Sequence, residues 1–525
     1  MAEYISQAGT GAVFGYPGTS NIEFMEGARR RGVNVVLARR EATAAFMAEG
    51  YAMAGGGLGV CISTLGPGST ALLQGVAAAN LDRVPLLAIS GQIESSREPW
   101  FTHQVVDHNR MYAPVTKWAG RMEAAAASTI MRKAIRLATA ERPGAVHLTT
   151  HSDVAKAAPG KGGVALPPLA PAAQAGEVVV TGADPQRVLR DARKPVLLVG
   201  GAAMRAGATG ATTALAEAGH LPVVVAPMAK GVFPEDHPLF AGVLDMACNQ
   251  VVWDLLAAAD LVVAIGFDPV ELIKPWLVDT PVLHVDAVPN IDQVYRSDVE
   301  LVGHIPALVD FLAAAGPDSA WTDAEIERHR GRLRDTYYSG RVEGALNPTD
   351  VVDVLRASLP RDTLVTTDVG SHKLLVGQGW TTYEPRTSLM SNGLSSMGFS
   401  LPGAIGAKLA CPRRPVLATV GDGGFAMLQG ELRLASALSL GMVVVVFVDG
   451  SLNRIELKQQ VLGYPSTATR IEETDLPALA ASMDCDGERV SDALSLEKLI
   501  ASAGELTRPL VVAAHIDPAQ YAAQF

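Results

Sequence analysis

Apolar residues along this chain fall into short, β-branched runs, each closed by Gly, Pro, Asp or Ser, as at residues 84–90, 195–200, 261–266 and 416–420. The runs are continuously apolar rather than alternating. That predicts strands covered on both faces, as in a parallel sheet flanked by helices. Between them lie Ala-, Leu-, Glu- and Arg-rich stretches of helical length, such as 41–54 and 430–440. Alternating strand and helix predict an α/β fold of doubly wound parallel sheets. Two interruptions divide the pattern. Residues 157–176 are rich in Pro, Gly and Ala without periodicity and read as a surface linker. Residues 322–344 are charged (Glu325, Glu327, Arg328, Arg330, Arg332, Arg334) and read as a solvated connecting helix closed by Asn347-Pro348. Its basic face is either solvated or an anion contact. The expected organisation is three domains, 1–160, 181–320 and 348–525, joined by a linker at 161–180 and a linker helix at 321–347. No short-period repeat is visible.

Composition narrows the function classes. The 525 residues carry 43 basic and 54 acidic side chains, a net charge of -11 with no basic block, so a nucleic-acid phosphate backbone is a poor partner. Four cysteines, Cys61, Cys248, Cys411 and Cys485, are far apart and read as small buried hydrophobes. The start of the chain lacks a signal-peptide pattern. The longest apolar run, 442–448, is too short for a bilayer, which needs about 20 residues. The expectation is a soluble cytoplasmic protein with no membrane partner.

Ligands of parallel sheets bind beyond the carboxyl ends of the strands. There the third segment is the most informative. The run 416–420 leads into Gly421-Asp422-Gly423-Gly424, and the run 443–448 leads into Asp449-Gly450-Ser451-Leu452. Two neighbouring strands would each end in an aspartate. The glycines let backbone N–H groups approach an anion. Two carboxylates facing a phosphate repel it unless a cation intervenes, and Mg²⁺ bridges carboxylates to phosphate oxygens. The spacing therefore favours a Mg²⁺–diphosphate site over the alternative of two turn-capping aspartates.

Gly-Asp-Gly followed by a second acid or amide at this spacing resembles the diphosphate–Mg²⁺ motif of thiamine diphosphate (ThDP) enzymes. Gly15-Tyr16-Pro17-Gly18, Arg40-Glu41-Ala42 and Gly66-Pro67-Gly68 resemble, in that order, the pyrimidine-binding domain of acetolactate synthases. The segments 230–237 and 281–286 resemble that family's middle domain, and 392–399 its cofactor-bending segment. The resemblance is closest to the flavin-free branch. It implies pyrimidine-binding, central and diphosphate-binding domains in that order. Glu41 is then the acid that hydrogen-bonds the aminopyrimidine and relays the proton that generates the ylide. Met397 is the wedge that bends the cofactor, and Ser395 offers its backbone carbonyl. Gly18, Pro67, Gly370, Ser371, His372, Gly421, Asp422, Gly423, Gly424, Asp449, Ser451 and Leu452 complete the cofactor-binding set. Asp422 and Asp449 would hold Mg²⁺ by their side chains and Ser451 by its carbonyl oxygen. His372 is either a phosphate donor or a satisfied loop histidine.

His103 and Gln104 stand where the synthases carry a Gln near the substrate, unless they form a plain surface turn. One His followed by Gln, rather than a histidine pair, leaves the enamine less readily protonated and so favours carboligation. Two departures stand out. Arg454 occupies a position that is apolar in the synthases, and suits either a substrate carboxylate or a dimer contact. Residues 266–271 lack the Arg that holds FAD in anabolic synthases, so no FAD is expected. The implied reaction is decarboxylation of a small 2-oxo acid and ligation to a second carbonyl, two pyruvates giving 2-acetolactate and CO₂. The alternatives are a non-ligating 2-oxo acid decarboxylase and a ThDP ligase with another donor or acceptor. The implied assembly is a homodimer or homotetramer with active sites at the subunit interface.

Overall fold

The computed structural model describes residues 1–55, 57–158, 160, 163–167 and 178–524. Most of the expected 157–176 linker lies outside the described residues. Three sheets with helices against their faces make an α/β fold. The apolar runs form the central strands: 84–90 gives Leu86–Gln92, 195–200 gives Pro195–Val199, and 416–420 gives Val416–Gly421, every residue of each buried or nearly so.

The N-terminal sheet is parallel, in the spatial order Asn34–Leu37, Ala12–Gly15, Gly59–Ser63, Leu86–Gln92, Ala145–His151, Trp118–Arg121. The C-terminal sheet repeats this topology with Ser388–Met390, Leu364–Thr367, Val416–Gly421, Val443–Val448, Leu510–His515, Asp486–Val490. In both, chain order reverses between the second and third strands across the sheet. That reversal opens a crevice at the carboxyl edge. The central sheet runs Phe240–Val243, Val223–Val225, Pro195–Val199, Leu261–Ile265, Val282–Asp286, Ser297–Val302, and ends in Val179–Gly182, which pairs antiparallel.

That edge strand corrects two expectations. The central sheet is not purely parallel, and residues 179–180 belong to it rather than to a linker. Its side chains are exposed, although Val178-Val179-Val180-Thr181-Gly182 is itself a β-branched run closed by Gly. The charged helix is also not simply solvated. Asp323–Tyr337 buries Ile326, His329, Leu333 and Tyr337, an i, i+3, i+7, i+11 stripe lying under a count of charges. His329 Nε2 bonds the Ala241 carbonyl at 2.8 Å, and Arg332 pairs with Asp254. The helix ends at Tyr337. Pro348 instead opens the next helix, Pro348–Ser358, with the Asp350 carboxylate accepting the Asn347 N–H.

The N- and C-terminal domains share one apolar core. At its centre the helices Glu41–Gly55 and Ser400–Ala410 touch backbone to backbone. A Cβ on Gly50 would lie 2.2 Å from the Gly403 carbonyl oxygen, and one on Gly406 would lie 1.9 Å from that of Met47. Only glycine permits that approach. Gly406→Ala is expected to cost about 2–4 kcal/mol in denaturant unfolding. Gly55→Ala, whose new methyl would meet only Ala410 Cβ at 3.5 Å, should stay within about 0.5 kcal/mol. Equal effects of the two would show that the helix contact is not the constraint.

Candidate functional site

The strands Val416–Gly421 and Val443–Val448 are paired in parallel, Gly421 opposite Phe447, so Asp422 and Asp449 follow at neighbouring strand tips. Backbone amides hold them there. Asp422 accepts the N–H groups of Gly423 (2.8 Å), Asp449 (3.1 Å) and Gly450 (2.7 Å), and Asp449 accepts that of Ser451 (3.0 Å). Burial first, and then the charge of Asp422, push the Asp449 carboxyl up to about 7. Burial raises Asp422 as well. Ser451 is buried and donates its hydroxyl to Glu456 at 2.7 Å, which leaves its backbone carbonyl as its polar group for a ligand.

On the other side of the crevice the strand Leu364–Thr367 ends in Asp368, buried, with its carboxylate on the N–H groups of Val369 and Gly398. Burial raises this acid to about 6. The helix Ser371–Gly379 begins at the crevice and points its first amides there. His372 stacks on Phe447 with ring centroids 5.3 Å apart. Burial, and then Lys373, lower it to about 3, so the ring is neutral. Its Nε2 is buried and has no hydrogen-bond partner among the described residues. An unsatisfied nitrogen beside a cavity is a vacancy for a polar ligand atom.

These loops enclose a cavity of about 310 Å³ lined by Gly370, Ser371, His372, Ser395, Met397, Gly421, Asp422, Gly423, Gly424, Asp449, Ser451 and Leu452, together with Asn453, Arg454 and Tyr521. The segment 392–398 that carries Met397 is fastened at both ends. Asp82 accepts the N–H groups of Asn392 and Gly393, and Asp368 accepts that of Gly398. Ser395 sits in the left-handed region, φ +50°, its hydroxyl on the Asn392 carbonyl at 2.8 Å. The fully buried Lys373 donates to the Ser391 carbonyl (2.8 Å) and to Asn392 Oδ1 (3.2 Å).

The N-terminal set gathers at its own sheet's crevice. A Cβ on Gly18 would meet Thr64 Oγ1 at 2.2 Å, one on Gly66 the Gln104 carbonyl at 2.6 Å, and one on Gly68 Glu41 Oε1 at 2.9 Å. Glu41 opens its helix, and Pro67 opens the helix Pro67–Leu81. His103 and Gln104 lie on an exposed loop, Gln104 at φ +60°. None of Gly18, Glu41, Pro67, His103 or Gln104 lines the 310 Å³ cavity. One chain thus carries two sets of site residues in two places. Sequence reasoning missed Asp368, although it follows a strand as Asp422 does, and it missed Lys373 beside His372. Arg454 lines the cavity from an exposed position, and partial desolvation lowers its proton affinity.

A site of paired acids, glycines and helix amides on a doubly wound sheet has the donors and acceptors that suit a phosphorylated ligand with its cation. Comparison with known families gives the class directly. The thiamine pyrophosphate enzyme N-terminal, central and C-terminal domains match residues 1–111, 186–312 and 368–514. The chain belongs to the thiamine pyrophosphate enzymes. It is similar to a probable acetolactate synthase large subunit of Methanocaldococcus jannaschii, 30% identical over 98% of this chain and 90% of the relative. An acetolactate synthase of Bacillus subtilis is 28% identical over 98% and 92%. A probable 2-ketoarginine decarboxylase of Pseudomonas aeruginosa is 31% identical over 95% and 90%. The protein is a ThDP-dependent, acetolactate synthase-like enzyme.

The buried lysine gives a pH signature. Burial lowers Lys373 to about 8 in the fold, whereas an unfolded chain holds that proton up to about 10.4. Between those values the unfolded state binds more protons, so rising pH favours the native state, by up to about 3 kcal/mol. Urea unfolding of the cofactor-free protein should show this gain from pH 8 to 10, and Lys373→Met should lose it. An unchanged slope in the variant would assign the gain to other groups.

Proposed function

We propose that the protein decarboxylates a small 2-oxo acid with ThDP and Mg²⁺ and ligates the product to a second carbonyl, most simply two pyruvates giving 2-acetolactate and CO₂. The observation that carries the reading is the pair Asp422–Asp449 at adjacent strand tips, facing helix amides and an unpartnered His372 nitrogen across one cavity. A diphosphate fits those donors. The acids facing it call for a divalent cation, held by Asp422, Asp449 and the Ser451 carbonyl. Gly423 and Gly424 leave room for the ligand to approach. A Cβ on either would already sit 2.7 Å from Ile471 Cδ1 or from Asp368 Oδ2.

Bound there, the thiazolium ring supplies an electron sink for the charge released as CO₂ leaves. The chain's own groups do the rest. Met397 would support the cofactor's bend, and the Ser395 carbonyl would accept from its pyrimidine amino group. Glu41 holds a proton at the pyrimidine ring nitrogen. Arg454 lies in reach of a substrate carboxylate. Gln104, with His103 beside it, orients substrate without offering a strong acid, which lets the carbon nucleophile meet a second carbonyl.

Because Glu41 and Met397 belong to different crevices, the complete site is assigned to two copies of the chain, in a dimer or a pair of dimers. Exposed apolar side chains support this: Ile22 and Trp100 on the N-terminal domain, and Ile455, Val461 and Tyr464 beyond the cavity. FAD is not part of the proposal. The amide of Gly201, at the central sheet's crevice, already donates to Glu271 Oε1 at 2.8 Å. Among the described residues no helix is long and apolar enough to cross a membrane. We assign the enzyme to the cytoplasm, with neither nucleic acid nor membrane as partner. The decarboxylase relative favours a second reading, non-ligating decarboxylation of a larger 2-oxo acid. A cationic side chain on that acid would face Arg454, which weighs against a guanidino substrate.

With pyruvate, the ligating reading expects acetoin after acidification, and the second reading expects acetaldehyde. Glu41→Gln should keep ThDP–Mg²⁺ binding by calorimetry while kcat falls by about 100-fold or more. A near-normal rate would remove Glu41 from the mechanism. Mixing inactive Glu41→Gln with inactive Asp422→Ala should restore roughly a quarter of the wild-type rate, through mixed dimers with one intact site. No recovery after verified subunit exchange would place both residues in sites made by one chain.

A further inference from the structure

A second cavity, about 480 Å³, lies where the three domains meet and shares no lining residue with the first. Four arginines border it: Arg83, Arg136, Arg205 and Arg386. Two are neutralised, Arg83 by Asp268 at 2.8 Å and Arg205 by Glu141. Arg136 and Arg386 have no carboxylate within ion-pair distance among the described residues. Arg386 is half-buried, its backbone in the left-handed region at φ +64°, and among the described residues its guanidinium hydrogen-bonds the Met53 carbonyl at 3.5 Å. Burial and the nearby Arg205 charge both lower its proton affinity. A cation kept in such a place without a counter-charge costs stability unless an anion joins it. Guanidinium groups bind carboxylate and phosphate through paired N–H donors. Met53, Met204, Met228 and Leu389 supply an apolar wall for the rest of a ligand.

The Gly201 amide on the cavity wall is not free for such a ligand, because it donates to Glu271 Oε1. The cavity is nevertheless connected to the first site. Asp82, on its wall, is the carboxylate that holds the amides of Asn392 and Gly393. Arg386 and Leu389 lie on the stretch that runs through Ser388–Met390 into the same segment.

We propose that this cavity is an effector site for a small organic dianion, a dicarboxylate or a phosphate monoester, whose binding is passed to the cofactor-bending segment through Asp82 and the strand Ser388–Met390. The effect on turnover rests on the function proposed above; the binding does not.

Inorganic phosphate is the probe, titrated calorimetrically into the full-length protein at constant ionic strength, with and without ThDP and Mg²⁺. One phosphate per chain is expected in both conditions, weakened at least tenfold by Arg386→Gln and by Arg136→Glu. Arg136 is exposed at the mouth, so its variant decides the matter if Arg386→Gln fails to fold. Absence of heat, equal binding by wild type and variants, or displacement of phosphate by ThDP–Mg²⁺ overturns the site. Glycerol 3-phosphate and malonate, run in parallel, distinguish an ester from a dicarboxylate by which binds more tightly. In the active enzyme, saturating phosphate should change kcat or KM at least twofold in wild type and not in Arg136→Glu. Binding without that change overturns the transmission through Asp82, and an enzyme inactive on pyruvate leaves the titration fully readable.

Discussion

Two carboxylates held side by side at the tips of adjacent strands set the terms for everything around them. Burial disfavours the charge on Asp422 and on Asp449, and each disfavours the other's. The fold offsets part of this with backbone amides, three on Asp422 and one on Asp449. It leaves the rest unmet, so a proton or a cation completes the pair. A diphosphate cannot enter such a field alone, whereas a diphosphate carrying a divalent ion can. On the function proposed above, the glycines, the helix amides and the neutral His372 nitrogen would be the matching half of that requirement, taking the oxygens that a metal would leave.

The relation between the two sets of site residues follows from a different constraint. Helices Glu41–Gly55 and Ser400–Ala410 meet through glycines with no room for a methyl group, which fixes the N- and C-terminal domains of one chain against each other. A hinge that carried Glu41 over to Met397 would have to break that contact and its shared core. Pairing with a second copy joins the crevices without breaking it, and this is why we prefer assembly to motion.

Much of this was legible in the sequence, and the limits have physical causes. The buried strands announce themselves because both faces are covered and every residue is apolar. The aspartates at 422 and 449 were readable because each follows such a run and the two reinforce one another. Asp368 follows a run as well, but a single acid after a strand looks like a turn cap, and its actual work, holding the amides of Val369 and Gly398, is a tertiary fact. The helix Asp323–Tyr337 was misjudged because its buried stripe includes a histidine and a tyrosine among many charges. The edge strand Val179–Gly182 does follow a β-branched run, Val178-Val179-Val180-Thr181, but it is short, stands beside a Pro/Gly/Ala-rich stretch and is exposed, so it reads as the end of a linker. Which residues share a cavity, and that Glu41 does not share one with Met397, depends on domain packing, which no local pattern encodes.

The three sheets also show how little strand order says about ligands on its own. Each reverses its chain order inside the sheet, beside the first of its parallel strands in the chain, and opens a crevice at that reversal. In the C-terminal sheet the crevice presents two acids and a helix start, and in the N-terminal sheet it presents Glu41 beside Gly68. The central sheet has the strand order of dinucleotide-binding domains, yet its own backbone and Glu271 narrow the crevice at Gly200 and Gly201. A Cβ on Gly200 would lie 2.3 Å from the Phe267 backbone, and Glu271, raised to about 8 chiefly by burial, caps the Gly201 amide. An anion near that domain would instead meet the guanidinium groups of the cavity that Gly201 and Met204 share with the other two domains. Topology supplies the opening, and the side chains that line it decide whether a cation, an anion or nothing can enter.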